Sequence, residues 1–363
     1  MNPIKVLLVD DSVTVRQLLV EALAVDTEIQ VVGTAPNGAL ALTMLPRLQP
    51  DVVVLDIDMP VMDGLEFLRR VRPMYPKLPL LVFSTYTTHG AATTLQALWF
   101  GASDYVAKPP ATGVEAAVVQ ARQELLPRIK AFARRDERNT PGATALRPAR
   151  PARMPAPLPT AARVPPRANV VASGTSTGGP RALADVLGAL PGDFPVPVLV
   201  VQHMPALFTR HLADGLSAQC ELPVREAEHD AALEPGTVWI APGDFHLTVV
   251  RDGTTLRTRL DQGPTENACR PSVNPLFRSV AEVFGPGALG VVLTGMGQDG
   301  LDGAARIRAA RGSVIAQDEA SSVVWGMPGS VARAGHADTV LPLDRIAEAI
   351  LARVRAHGGR RAA

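Results

Sequence analysis

A stretch near the middle of the chain restricts its fold more than any other feature. From Arg138 to Arg167 the sequence runs RNTPGATALRPARPARMPAPLPTAARVPPR, with eight prolines, six arginines and no acid. Proline removes backbone donors, and large apolar side chains are almost absent, so the segment cannot bury enough surface to offset its ordering entropy. It predicts a disordered, partly polyproline-like linker over 136–167. Its arginines read as a solvated, self-repelling spacer rather than a nucleic-acid or lipid contact. The rest must then fold as two bodies, 1–135 and 168–357, and 363 residues is about right for two domains.

Both halves alternate short apolar runs with amphipathic segments. The first offers strands at IKVLLV (4–9), IQVVGTA (29–35), VVVLDID (52–58), LPLLVFST (78–85) and ASDYVAK (102–108), with helices between them and a closing helix over 114–135. The second offers ANVVAS (168–173), VPVLVVQH (196–203), ALGVVLTG (288–295) and SVIAQD (313–318), and three short, antiparallel-looking strands within 238–260. Continuous apolar strands separated by helices mean parallel sheets covered on both faces. The expected fold class is therefore α/β, with two doubly wound parallel-sheet domains, the first flavodoxin-like and the second Rossmann-like. With 47% hydrophobic but only 4% aromatic residues, the cores must be built from Ala, Val and Leu. Lys+Arg 36 against Asp+Glu 35 leaves a net charge of +1, which argues against a nucleic-acid binder. Cys220 and Cys269 have no CxxC partner, so neither a disulfide framework nor a zinc site is indicated. The N-terminal apolar run is cut short by two acids, and no stretch approaches the ~20 apolar residues of a membrane span. The chain reads as cytoplasmic, without membrane insertion.

Ligands of parallel sheets sit beyond the carboxyl ends of the strands. Asp10 and Asp11 end the first strand of the first domain and Asp56 the third. Three converging carboxylates are costly unless a divalent cation neutralises them, and oxygen ligands suit Mg²⁺. Ser84 and Thr85 end the fourth strand with hydroxyls, and Lys108 ends the fifth with a cation. Metal, charge neutralisation and a carboxylate nucleophile are what phosphoryl transfer to an aspartate requires. LLVDDS, VVVLDIDMPVMDGLEFL and the Lys108-Pro109 step resemble the receiver domain of two-component response regulators over nearly all of 1–125. That resemblance implies Asp56 as phosphoacceptor, Asp10 and Asp11 with it as Mg²⁺ ligands, and Ser84 and Lys108 as the groups that sense and pair with the phosphoryl. A histidine kinase would be the phosphodonor.

In the second domain, SGTSTGGPRALADVL follows the first strand. Gly174, Ser176 and Gly178 form G-x-S-x-G at a strand-to-helix turn, which fits a nucleophile elbow. A phosphate-binding loop fits the same glycines equally well. A serine nucleophile needs a base, and His203 ends the next buried strand, at the same edge of the sheet. His211 and His357 fall on helices, His89 lies in the first domain, and His229, His246 and His336 occupy loop-like or short-strand stretches. TGMGQDG (294–300) follows a third strand and brings Asp299 to that edge, completing triad logic. Asp302, nearer the helix, reads as an N-cap. The order Ser…His…Asp is not that of the α/β-hydrolases.

GTSTGGP, VQHMP, CRPSVNPLFRS, TGMGQDG and QDEASSVVWGMPGSV resemble the catalytic domain of the chemotaxis protein-glutamate methylesterases. With the receiver, the resemblance covers the chain apart from the linker. It implies Ser176, His203 and Asp299 as the triad, the Met296 and Thr177 backbone N–H groups as oxyanion donors, and no metal in the ester chemistry. It also implies methylated chemoreceptors as substrate, methanol as product, and glutamine deamidation by the same acyl-enzyme route. Asn274 departs from the family's RPSVD, and Pro275 after it is also unusual. A DNA-binding output is disfavoured by the size of the second domain and its lack of a basic recognition helix. An inactive adaptor is disfavoured by the complete triad.

Overall fold

The computed structural model describes residues 2–85, 87–108, 114–139 and 166–355. The core of the predicted linker (140–165) and His357 lie outside the described residues.

The N-terminal domain carries β1 (Ile4–Val9), α1 (Val13–Ala24), β2 (Ile29–Ala35), α2 (Gly38–Leu48), β3 (Val52–Leu55), α3 (Gly64–Met74), β4 (Leu80–Ser84), α4 (Thr88–Trp99), β5 (Asp104–Ala107) and α5 (Val114–Asn139). Its five strands lie in the order β2-β1-β3-β4-β5, all parallel, so β1 and β3 flank the point where the winding reverses. Strands such as VVVL and LLVFS are buried along their whole length, because helices cover both faces. Side-chain caps from Ser12, Asn37, Asp63 and Thr87 start α1 to α4.

The C-terminal domain carries β6 (Val170–Thr175), α6 (Gly179–Leu187), β7 (Val198–Gln202), α7 (Ala206–Ser217), β8 (Val224–Glu226), β9 (Val238–Ile240), β10 (His246–Asp252), β11 (Thr255–Asp261), α8 (Val273–Phe284), β12 (Ala288–Val292), α9 (Leu301–Ala309), β13 (Ser313–Gln317), α10 (Met327–Arg333), β14 (Thr339–Leu341) and α11 (Leu343–Arg355). Seven parallel strands run β14-β13-β12-β6-β7-β9-β8, and β6 sits at the reversal. Two expectations for 238–260 divide here. β10 and β11 do pair antiparallel, as a separate hairpin. VWI does not, because β9 joins the main sheet parallel to β7 and β8. Three elements had no sequence signal. VRE (β8) and TVL (β14) are too short for periodicity, and α10 opens with Met-Pro-Gly, which reads as a turn although proline is tolerated in a first helical turn.

The two domains are packed together. Tyr105 of β5 stacks on Phe208 of α7, with ring centroids 4.9 Å apart and planes at 17°. α4 lies on α7, where Trp99 covers Gly215 so closely that a Cβ at Gly215 would meet the indole at 2.6 Å. Buried residues of both domains form one continuous apolar cluster across this contact.

Candidate functional sites

Beyond the carboxyl ends of β1 and β3, the buried carboxylates of Asp10 and Asp56 face each other, with exposed Asp11 beside them. Their ligand atoms lie within 4.8 Å of one another. Lys108, immediately after β5, reaches Asp56 Oδ2 at 2.8 Å and Asp10 Oδ2 at 2.9 Å. Burial pushes the Asp56 carboxyl up to about 6 despite the opposing pull of Lys108. Burial also works against the Lys108 charge, yet Asp56 and Asp10 outweigh it and hold the ammonium above its usual range. The hydroxyl of Ser84, buried at the end of β4, donates to the carbonyl of Gly90 at 3.2 Å. Asp10, Asp11, Asp56 and Lys108 are brought together here, while the Ser84 hydroxyl is engaged by Gly90. Three acids within so short a span, offering oxygen only, fit a hard divalent cation of the Mg²⁺ class.

The second site is assembled at the reversal point of the larger sheet. Ser176 follows β6 and precedes α6, whose N-cap Gly178 has φ +76°, a left-handed conformation that disfavours a Cβ. Gly179 is required for space, since a Cβ there would lie 2.0 Å from Gln202 Oε1. The serine backbone is fixed from both neighbouring strands. Ser176 N–H donates to Thr294 O at 3.0 Å, and Gln202 Nε2 donates to Ser176 O at 3.0 Å. A Cβ on Gly295 would press on Ser176 at 2.9 Å, so the 294–300 loop, with half-buried Met296 next in line, lies directly against the serine.

His203 Nε2 and Asp299 Oδ2 are 2.7 Å apart. Asp299 is 2% exposed and receives a dense set of donors: Val273 N–H at 2.7 Å, Ser272 Oγ at 2.7 Å, Gly300 N–H at 2.9 Å and Asn267 Nδ2 at 3.1 Å. Burial alone would raise its carboxyl; the bond to His203 and these donors reverse that and hold it below the usual range. Burial likewise opposes the imidazolium, but Asp299 and then Cys269 win and lift His203 to about 9. With Nε2 engaged by Asp299, Nδ1 is the nitrogen left for proton transfer, and it faces Cys269 Sγ at 3.6 Å. Among the described residues no hydrogen bond joins Ser176 Oγ to His203, although both line one cleft of about 560 Å³.

Sequence reasoning brought Ser176, His203 and Asp299 to one edge, and the structure places them there. It did not find Asn267, Cys269, Ser272 or the Val273 N–H, all from the segment 266–273 that wraps the Asp299–His203 pair. The CRPSVNPLF string was the available signal, but it carries no periodicity from which contacts follow. The reading of Asp302 as an N-cap is corrected. The N-cap of α9 is Gly300, and its first turn is capped from a distance by Asn274, whose Oδ1 accepts from Gly300 N–H at 3.1 Å and Gly303 N–H at 2.9 Å. The departure at Asn274 is thus a buried helix cap, and Pro275 falls harmlessly within the first turn of α8. His246, with no predicted role, is buried between Pro264 O and Ser272 N–H as a structural bridge.

Residues 171–350 match the family model described as CheB methylesterase, and residues 6–118 match that of the response regulator receiver domain. The protein-glutamate methylesterase/protein-glutamine glutaminase of Trichodesmium erythraeum is 46% identical over 360 residues, covering 98% of this chain and 100% of its own. That of Nocardioides sp. is 50% identical over 358 residues, covering 98% and 96%. The crystal structure of the Thermotoga maritima CheB methylesterase catalytic domain matches with 43% identity and a TM-score of 0.50, over 51% of this chain and 97% of that one.

Proposed function

Because this chain belongs to the protein-glutamate methylesterase/protein-glutamine glutaminase family, we propose that it is a phosphorylation-controlled serine hydrolase acting in chemotactic adaptation. It removes methyl groups from glutamyl esters of chemoreceptor cytoplasmic domains as methanol, and deamidates receptor glutamines. The observation that carries this reading is the 2.7 Å His203–Asp299 contact at a cleft that Ser176 also lines. Ser176 Oγ attacks the side-chain acyl carbon, and His203 Nδ1 takes the proton and returns it to the leaving methanol or ammonia. Asp299 fixes the tautomer through Nε2. The backbone N–H groups of Met296 and Thr177 receive the oxyanion. Water then releases the glutamate.

In the receiver (1–135), Asp56 accepts the phosphoryl group from a histidine kinase, and Asp10, Asp11 and Asp56 would hold Mg²⁺. Bound there, the cation neutralises charge during phosphoryl transfer. Lys108 and Ser84 then respond to the phosphoryl group, biasing the receiver away from its contact with the catalytic domain (168–357), while 136–167 keeps the two tethered. Among the described residues no helix is long and apolar enough to cross a membrane, and the protein works in the cytoplasm. Ser176→Ala tests the reading. Methanol release from methylated receptor membranes falls by about 10⁶-fold with the fold intact, and activity within tenfold of the parent refutes it.

A further inference from the structure

The loop 264–272 and the residue after it supply most of what touches the Asp299–His203 pair, yet the loop lies outside every helix and strand. Asn267 Nδ2 and Ser272 Oγ donate to Asp299 Oδ1 at 3.1 and 2.7 Å, and Val273 N–H donates to Oδ2 at 2.7 Å. Cys269 Sγ stands 3.6 Å from His203 Nδ1. The two ends of this loop meet at one side chain. His246, the first residue of β10, is 3% exposed and puts a ring nitrogen on each end. Its Nε2 lies 3.0 Å from Pro264 O, and Ser272 N–H donates to its Nδ1 at 3.2 Å. A carbonyl only accepts and an amide N–H only donates, so the ring is neutral with its proton on Nε2. β10 is in turn tied to the helix that follows the loop, because Val249 N–H donates to Ser279 Oγ of α8 at 3.0 Å. The loop is also tied by the Arg270–Asp244 and Glu266–Arg278 ion pairs, but these lie at the solvated rim, where such pairs hold little. An apolar side chain in place of His246 would leave Pro264 O and Ser272 N–H without a partner. We propose that His246 is a positioning residue of the hydrolase, an imidazole clip that closes the loop so that Ser272 and Val273 hold the Asp299 carboxylate in line with His203. This rests on the hydrolase reading above and adds to it a histidine that acts through Asp299 without touching substrate. Ser272 N–H is the decisive end of the clip, since Ser272 Oγ and the next N–H are the two 2.7 Å protein donors, other than His203, on Asp299.

The test uses phosphorylated full-length chains carrying His246→Leu, His246→Gln or His246→Asn. The asparagine oxygen sits where Nδ1 does and can still accept from Ser272 N–H, whereas glutamine reaches only the Nε2 position and Pro264. Methanol release from methylated receptor membranes gives kcat and KM. The downfield proton of His203 Nε2–H, absent from His203→Ala, reports the bond to Asp299. The leucine and glutamine variants should lower kcat by about 10²-fold with KM unchanged, the cost of misplacing a reacting group by about 1 Å. They should also shift or remove the downfield proton. The asparagine variant should restore that proton and recover at least about tenfold of the lost rate. A rate lost with the downfield proton in place, an unchanged rate in His246→Gln, or an asparagine no better than glutamine each overturns the proposal. Should the variants fail to fold, the parent still decides. Nitrogen-15 shifts of its His246 ring must show Nε2 protonated and Nδ1 bare, and a proton on Nδ1 refutes the clip. A phosphorylated parent that releases no methanol refutes the hydrolase reading instead, and leaves the two ring resonances to judge the clip.

Discussion

Asp299→Asn is the sharpest perturbation of the esterase site, because it keeps the shape and changes only charge and donor pattern. One carboxylate oxygen receives Val273 N–H and His203 Nε2; the other receives Ser272 Oγ, Gly300 N–H and Asn267 Nδ2. Whichever way the amide is turned, its NH₂ meets at least two donors. Each lost charge-assisted bond is worth ~1.5–3 kcal/mol, so a rigid site would lose ~3–6 kcal/mol and a relaxed one ~3 kcal/mol. At ~2–4 °C per kcal/mol for a domain of this size, Tm falls by ~6–12 °C. The same change frees the imidazole to adopt the wrong tautomer, and methanol release falls by ~10⁴-fold. The acid limb carries a further signature. A carboxyl held below its usual range contributes stability that is present above its unfolded pKa and lost as pH falls through the lower folded value. The parent's Tm therefore falls on acidification through that window, and this component is missing from the variant. Thermal melts from pH 7 to 3 and methanol assays on receptor membranes measure both. A variant within tenfold of the parent rate, melting at the parent temperature, would refute the role assigned to Asp299.

In the receiver, Asp56→Asn should abolish phosphoryl labelling, and a chelator should do the same to the parent. A stoichiometric label persisting on the variant would show that another residue accepts the group. Asn274→Ala removes the cap of α9 and should lower stability by ~1–2 kcal/mol, seen as a fall in Tm of a few degrees. An unchanged melting temperature would overturn the capping role.

Much of both sites was legible in the sequence, for a topological reason. In a parallel sheet every strand delivers its carboxyl end to one edge, so Asp10, Asp56 and Lys108, or Ser176, His203 and Asp299, could be grouped from strand positions alone. What escaped depends on contacts that no period encodes. The segment around Cys269 is bent by left-handed residues at Asn267 (φ 52°) and Ala268 (φ 60°), with no glycine to announce the turn. Asn274 stood out only as a departure from the family's pattern, because its partners, Gly300 and Gly303, lie far along the chain. Asp302 offered a plausible local cap, and the distant one won. Asp104 read as an ordinary strand residue, although it lines the cleft that holds Ser176 and His203.

β5 is only four residues long, spanning ~13 Å at ~3.3 Å per residue. Asp104 stands at its start, under the esterase cleft, and Lys108 follows its end, gripping Asp10 and Asp56. An extended backbone pinned along β4 does not compress, so the spacing between Lys108 and Asp104 is fixed. The acidic pocket and the esterase cleft are thus joined by one short rod with a cation at one tip and an anion at the other.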